Sequence, residues 1–175
     1  MKKQTGNRKS IRIKGFDYSS AGAYFVTINT KNQSNIFAVV NDGIITLSEY
    51  GKIAKQCWLD IPNHFTNVEL DVFVIMPNHI HGILFLNEYY DKGEACLAPT
   101  QSNVSDKGTV GNIVGSFKSA VTKRINDIRG LSGATIWQRN YYEHVIRHDS
   151  DLDELRRYIT NNPKQWDNDE YNLGL

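Results

Sequence analysis

The stretch Val74–Leu86, VIMPNHIHGILFL, decides the fold. Two apolar runs meet at Met76-Pro77-Asn78. Proline fixes φ and removes a ladder donor, and asparagine tolerates the tight backbone that follows, so this junction reads as a turn. The pattern predicts two strands, Val68–Met76 and His79–Leu86, folded back on each other. Side chains on a strand alternate faces, so His79 and His81 share one. Their Cα atoms are then about 6.6 Å apart at about 3.3 Å rise per residue, close enough for two imidazoles to converge on one metal ion. Ile80 points to the other face and is expected to pack into the core with Ile83 and Phe85.

Outward from this pair, the elements follow their own signals. Ala23–Thr30 (AYFVTINT) is β-branched and aromatic, a strand. NIFAVVNDGIITLS reads as a hairpin turning at Asn41-Asp42-Gly43. Ser48 is placed to cap a helix running to about Asp60, with Ile53, Ala54, Cys57, Trp58 and Ile61 at helical spacing and Pro62 past its end. Val110, Ile113, Val114, Phe117, Val121 and Ile125 trace one face of a second helix from Thr109. Asn140–His148 reads as a strand. DSDLDELRRYITNNP then opens with a capping-box pattern, Ser150 with Asp153 or Asp151 with Glu154, and is helical up to the turn before Pro163.

Without the hairpin, the first six elements give β-α-β-β-α-β. The expected fold is therefore α+β: a ferredoxin-like, RRM-like antiparallel sheet with an added C-terminal helix. Residues 1–175 read as one domain, with 88–108 as a mobile loop because it lacks periodicity and is rich in turn formers.

Composition narrows the class. A hydrophobic content of 40% and a charged content of 22% are ordinary for a globular protein. No apolar run reaches the roughly 20 residues that span a bilayer, and the basic N-terminus lacks an apolar signal core. A cytoplasmic protein with no membrane partner is expected. Cys57 and Cys96 form no paired motif. The net charge of +1 excludes a globally basic protein, but two local basic sets stand out. One holds Arg12 and Lys14 among the cations before Asp17; the other holds Lys118, Lys123, Arg124 and Arg129. Such patches permit nucleic-acid binding without requiring it.

The last helix supplies what a histidine pair lacks. Tyr158 and Asn162 are four residues apart and share a helical face. Asn162 offers an amide oxygen as a third ligand, with Asn161 as its rival. Tyr158 offers a phenol, a poor nucleophile while its pKa is about 10 but a better one beside a metal-polarised phosphate. Each residue also has a plainer reading: two histidines at a hairpin end, a tyrosine packed in the core, an asparagine capping a helix.

Three segments taken together, MPNHIHGIL, WQRNYYEHVIR and LRRYITNNPKQW, in this order and spacing, resemble the REP-associated tyrosine transposases, which are single-tyrosine transposases of the HUH nuclease superfamily. The resemblance runs from about Tyr24 to Trp166. It implies a metal-dependent endonuclease and strand transferase on single-stranded DNA, often at palindromic hairpin-forming repeats. Matched by position, His79 and His81 are the family's histidine pair, Tyr158 its nucleophile and Asn162 its polar ligand, where many relatives carry glutamine. Mg²⁺ or Mn²⁺ is the implied cofactor. Tyr158 would form a 5′-phosphotyrosyl link and free a 3′-hydroxyl, and a second DNA hydroxyl would reverse the step. Tyr141 and Tyr142 sit in the strand motif and are rivals for the nucleophile.

For DNA contacts, Lys118, Lys123 and Arg124 are candidates from the second helix, and Arg12 and Lys14 from the N-terminal segment. Tyr89, Tyr90, Tyr141 and Trp137 are candidate stacking platforms, with Trp137 also fit to anchor the strand after it. The protein is expected to act as a monomer or a homodimer. Two other functions fit the residues. One is a nucleic-acid-binding module of the same family that no longer cuts. The other is a metal-dependent hydrolase drawing on His64, His144 or His148.

Overall fold

The computed structural model describes residues 21–88 and 108–172. Arg12, Lys14, Tyr89, Tyr90, Cys96 and residues 89–107 of the expected loop lie outside the described residues. The strands are β1 (Gly22–Asn29), β2 (Ala38–Asn41), β3 (Ile44–Leu47), β4 (Val68–Ile75), β5 (His79–Leu86) and β6 (Tyr142–Ile146). The helices are α1 (Glu49–Leu59), the one-turn α2 (Ile61–His64), α3 (Val110–Arg129) and α4 (Asp149–Asn161), and a 3-10 stretch, Asn162–Asn168, continues from α4.

The main sheet has the order β4-β5-β1-β6, with every neighbouring pair antiparallel. With α1 between β1 and β4 and α3 between β5 and β6, this is the ferredoxin-like arrangement expected from the element order. The early hairpin, β2 with β3, forms a separate two-stranded sheet. Its Asp42 and Gly43 both have positive φ, +50° and +74°, which is why Asp-Gly sits there. Ser48 caps α1 as expected, accepting from Gly51 N at 3.1 Å, and Thr109 caps α3.

Strand alternation divides the apolar residues into two cores. Tyr24, Val26, Ile28, Ile80 and Leu84 pack beneath α1 and α3 with Trp58, Phe117 and Val121. A Cβ at Gly82 would collide with the Trp58 ring, so a residue without a side chain is what allows α1 to lie this close to β5. The opposite face carries a smaller core of Phe25, Ile83, Ile146 and Ile159, covered by Leu152 and Leu155 of α4. Ile83 and Phe85 therefore pack on the histidine side and not with Ile80 as expected; both are odd-numbered, like His79 and His81, and strand parity decides their face.

The start of α4 also differs from its sequence reading. The helix begins at Asp149, with His148 at the N-cap and no side-chain cap, and Ser150 Oγ instead meets Asp151 Oδ1 at 3.3 Å. Asp149 and Asp151 in the first turn still suit the positive end of the helix dipole. What holds α4 over the sheet is burial of Ile159 together with an ion pair, Arg156 Nε to Asp71 Oδ2 at 2.7 Å. Asp71 lies where the β4–β5 register shifts between Leu70 and Phe73, an irregularity of the kind that re-aims a side chain.

Candidate metal and nucleophile site

The β1–β5 register sets Thr27 opposite His81 and Asn29 opposite His79, all on the α4 face. Both histidines are buried, and their ring centroids are 4.5 Å apart. Each is anchored through Nδ1, His79 to Asn78 Oδ1 and His81 to Thr27 Oγ1, both at 2.8 Å. The Asn78 amide nitrogen donates to the carbonyls of Gln33 (3.2 Å) and Tyr171 (2.7 Å), so its oxygen is the acceptor for His79. His79 Nδ1 therefore carries the proton and Nε2 the free lone pair. An outer partner that fixes the tautomer in this way is the usual support of a metal-binding imidazole.

The last helix docks over this pair in the same chain. Tyr158 Oη lies 3.4 Å from His81 Nε2, and its ring stands edge-on to His81 and Phe25. Asn162 is buried one turn on, and its Nδ2 donates to Asp169 Oδ2 at 3.0 Å. A carboxylate only accepts, so this bond turns Asn162 Oδ1 the other way. His79 Nε2 and Asn162 Oδ1 are both left buried with no hydrogen-bond partner, as is Asn29 Oδ1 across the ladder from His79.

Burial and charge set the protonation states. Burial pushes the His79 imidazole down to about 4 against the pull of Asp169 and of the Asn162 side chain, and it pushes His81 well below 6.5 with help from His79. Both rings are neutral at pH 7, as ligands must be. Burial, then the carboxylates of Asp169 and Glu170, raise the Tyr158 phenol above its ordinary value, while the Asn162 side chain opposes them. The phenol is thus protonated at neutral pH.

A cavity of about 610 Å³ opens beside Tyr158 and His81, walled by Tyr142, His144, Asp151, Glu154, Glu170 and Tyr171 among others. The Tyr171 ring covers His79 at 4.6 Å between centroids, and Trp166 flanks it at 6.1 Å.

The structure thus brings together four of the residues singled out from sequence, His79, His81, Tyr158 and Asn162. It does not bring the α3 cations to them. Lys123 pairs with Asp127 at 2.7 Å, and Arg124 is exposed near Asp60 and Cys57 on the α1 side, across the sheet from the histidines. Lys118 is half-buried with its ammonium on the carbonyls of Gln138 (2.6 Å), Arg139 and Asn140 (both 3.5 Å). It holds the approach to β6 in place. Lys118→Met is expected to lower unfolding free energy by about 1.5–3 kcal/mol, the scale of a lost charged hydrogen bond; urea denaturation checks it.

The rival residues separate clearly. Tyr141 donates to Glu143 Oε2 at 2.6 Å, and Tyr142 is exposed at the cavity wall against Phe25. Asn161 is exposed, in contrast to Asn162. Trp137 is buried against Phe37 and Phe117 and donates to the Lys118 carbonyl, a structural role. His64 pairs with Asp60 among the helices, His148 sits at the N-cap position of α4 without a side-chain cap bond, and of these three His144 alone lines the cavity. Among the described residues, no group of three His, Cys, Asp or Glu side chains is arranged to hold a metal, so a site here depends on the asparagine.

Sequence reasoning missed Thr27, Asn29, Asn78 and Asp169. Thr27 and Asn29 carry a signal, as polar residues on the odd face of an apolar strand. Asp169 carries none, because it reaches Asn162 only through the 3-10 turns.

No protein-family model matches the chain. It is 41% identical over 170 residues to an uncharacterized protein of Haemophilus influenzae, covering 94% of this chain and 92% of the other. The two belong to one family. At greater distance, the chain is 24% identical over 151 residues to a Haemophilus influenzae protein named "Putative REP-associated tyrosine transposase", covering 84% of this chain and 73% of that one. Among solved structures it resembles a REP-associated tyrosine transposase bound to a REP hairpin, with a TM-score of 0.52, 21% identity, and coverage of 83% of this chain and 68% of that chain. The resemblance to REP-associated tyrosine transposases read from the three motifs thus extends to the fold. No helix among the described residues is long and apolar enough to cross a membrane.

Proposed function

We propose that this protein is a metal-dependent endonuclease and strand transferase that acts on single-stranded, hairpin-forming DNA through Tyr158. The observation that carries the reading is the pair of orphaned buried acceptors, His79 Nε2 and Asn162 Oδ1, beside His81 and Tyr158. A buried acceptor without a donor costs about 1–3 kcal/mol. A divalent cation held by His79, His81 and Asn162 satisfies both. Nitrogen and amide-oxygen donors accept Mg²⁺ or Mn²⁺, and by intrinsic affinity also Ni²⁺, Co²⁺ or Zn²⁺.

The wall of the cavity supports the same reading. Asp151, Glu154 and Glu170 would repel a bare phosphodiester from the space beside Tyr158 and attract a divalent cation into it, so a bound cation is what would let the phosphate enter. When bound, the cation supplies Lewis-acid stabilisation of the phosphate's charge. The Tyr158 oxygen attacks phosphorus as its proton passes to solvent. The bond to the 3′ oxygen breaks, and that oxygen gains a proton. Tyr158 then holds the 5′-phosphate until a second DNA hydroxyl takes its place, and no nucleotide cofactor is consumed. Burial keeps the imidazoles neutral, and Thr27 and Asn78 keep them aimed. Phe25 and Ile159 hold the helix that carries the phenol. Because Tyr158 reaches His81 within one chain, the reading is one of action in cis.

Hairpin DNA incubated with Mn²⁺ is expected to give a protein–DNA adduct that survives denaturant and is absent with chelator. Tight hairpin binding with no cleavage under any divalent ion would favour the alternative, a binding module. His144, at the cavity wall, is what keeps the hydrolase reading in view; metal binding lost in His144→Ala and kept in Asn162→Ala would favour that one.

A further inference from the structure

We infer that Asp169 is a positioning residue for the proposed metal site, fixing the side-chain amide of Asn162 so that its oxygen faces the histidines. This rests on the proposed function. An asparagine amide can rotate to present either end, and its oxygen is a ligand in only one orientation. In this chain the amide nitrogen is committed: Nδ2 donates to Asp169 Oδ2 at 3.0 Å. The oxygen is thereby turned inward, buried, with no protein donor to meet it.

Asp169 is itself held. Its Oδ1 accepts from the Tyr171 backbone N–H at 2.8 Å, and the Tyr171 carbonyl accepts from Asn78, the residue that anchors His79. A continuous chain of bonds therefore runs from His79 through Asn78, Tyr171 and Asp169 to Asn162. Each carboxylate oxygen already accepts one of these bonds, and through them Asp169 acts on Asn162. The same chain of bonds draws the segment after α4 back over the histidines. Asn162 lies at the end of α4 with one methylene fewer than a glutamine, and it gains its orientation from outside the helix.

The test is Mn²⁺ affinity of the full-length protein, measured by calorimetry without DNA, in a double-mutant cycle. Loss of an outer-shell partner costs about 10–100-fold in metal affinity, and Asp169→Ala is expected to lie in that range. In an Asn162→Ala background the same substitution is expected to cost less than about threefold, because the two act as one unit. Asp169→Asn keeps an oxygen able to accept from Asn162 and is expected to stay within about threefold of wild type. Asp169→Ala binding like wild type, or losing equally in both backgrounds, overturns the inference. Should Asp169→Ala fail to fold, Asp169→Asn decides alone, and a loss equal to that of Asn162→Ala overturns it by making charge the cause. If Asn162→Ala itself leaves affinity unchanged, or wild type binds no divalent ion, the proposed metal site fails and this inference falls with it.

Discussion

Tyr158→Phe is expected to form no covalent adduct with hairpin DNA and to cut it slower by on the order of 10⁴-fold or more, the scale on which removal of a covalent nucleophile is felt. The substitution removes one oxygen and keeps the ring. Its edge-on contacts with Phe25 and His81 survive, so the sheet-side core and the docking of α4 are expected to be intact. The hydroxyl's approach to His81 Nε2 is long, at 3.4 Å, and its other polar neighbour is the Asn162 side chain, so its loss costs little stability, and Mn²⁺ affinity should be retained. Unchanged binding with abolished chemistry separates a nucleophile from a structural tyrosine. Tyr142→Phe and Tyr171→Phe, the other phenols at the cavity, are the controls and are expected to keep the adduct. Cleavage that persists in Tyr158→Phe and disappears in either control would reassign the nucleophile.

The parts of this site visible in sequence are those governed by periodicity. The turn at Met76-Pro77-Asn78 fixed two strands, and a period of two placed His79 and His81 together. A period of 3.6 placed Tyr158 and Asn162 on one face of α4. Neither period says that α4 lies over β5. That depends on Ile159 and Leu155 meeting Ile83 and Phe25, and on a register shift in β4 that turns Asp71 toward Arg156. The same limit explains the α3 cations. Helical spacing shows that Lys118, Lys123 and Arg124 lie off the apolar stripe, but only the topology reveals that α3 covers the face opposite the histidines. Lys118 shows the further hazard that a lysine on a polar stripe can be consumed by backbone carbonyls from a segment twenty residues away. The bonds that orient His79 and Asn162 run through Asn78, Tyr171 and Asp169, joining residues more than ninety positions apart, and no local pattern encodes them.

Acid is expected to destabilise the fold strongly between pH 6.5 and 4, and His79→Gln is expected to weaken that dependence. Above pH 6.5 the two imidazoles are neutral in both folded and unfolded chains, so they add no pH dependence. Below it, the unfolded chain takes up protons that the folded chain refuses, because burial holds His79 down to about 4 and His81 well below 6.5. Each such site costs about 1.4 kcal/mol per pH unit, so His79 alone removes roughly 3 kcal/mol across its window. Urea unfolding at steps from pH 7 to pH 4 reads this directly, and the His79→Gln protein should show a slope smaller by about one proton. A slope identical to wild type would mean that His79 is protonated in the folded protein. A divalent ion at the proposed site would stabilise the fold. Ions bind the neutral rings, which the folded chain keeps neutral down to about pH 4, so a concentration of Mn²⁺ near 100 times its Kd should stabilise wild type by about 2.7 kcal/mol across most of that window. His79→Gln should therefore make the protein more tolerant of acid and less responsive to metal. A substitution that only damaged packing would lower stability at every pH and would not produce those two changes together.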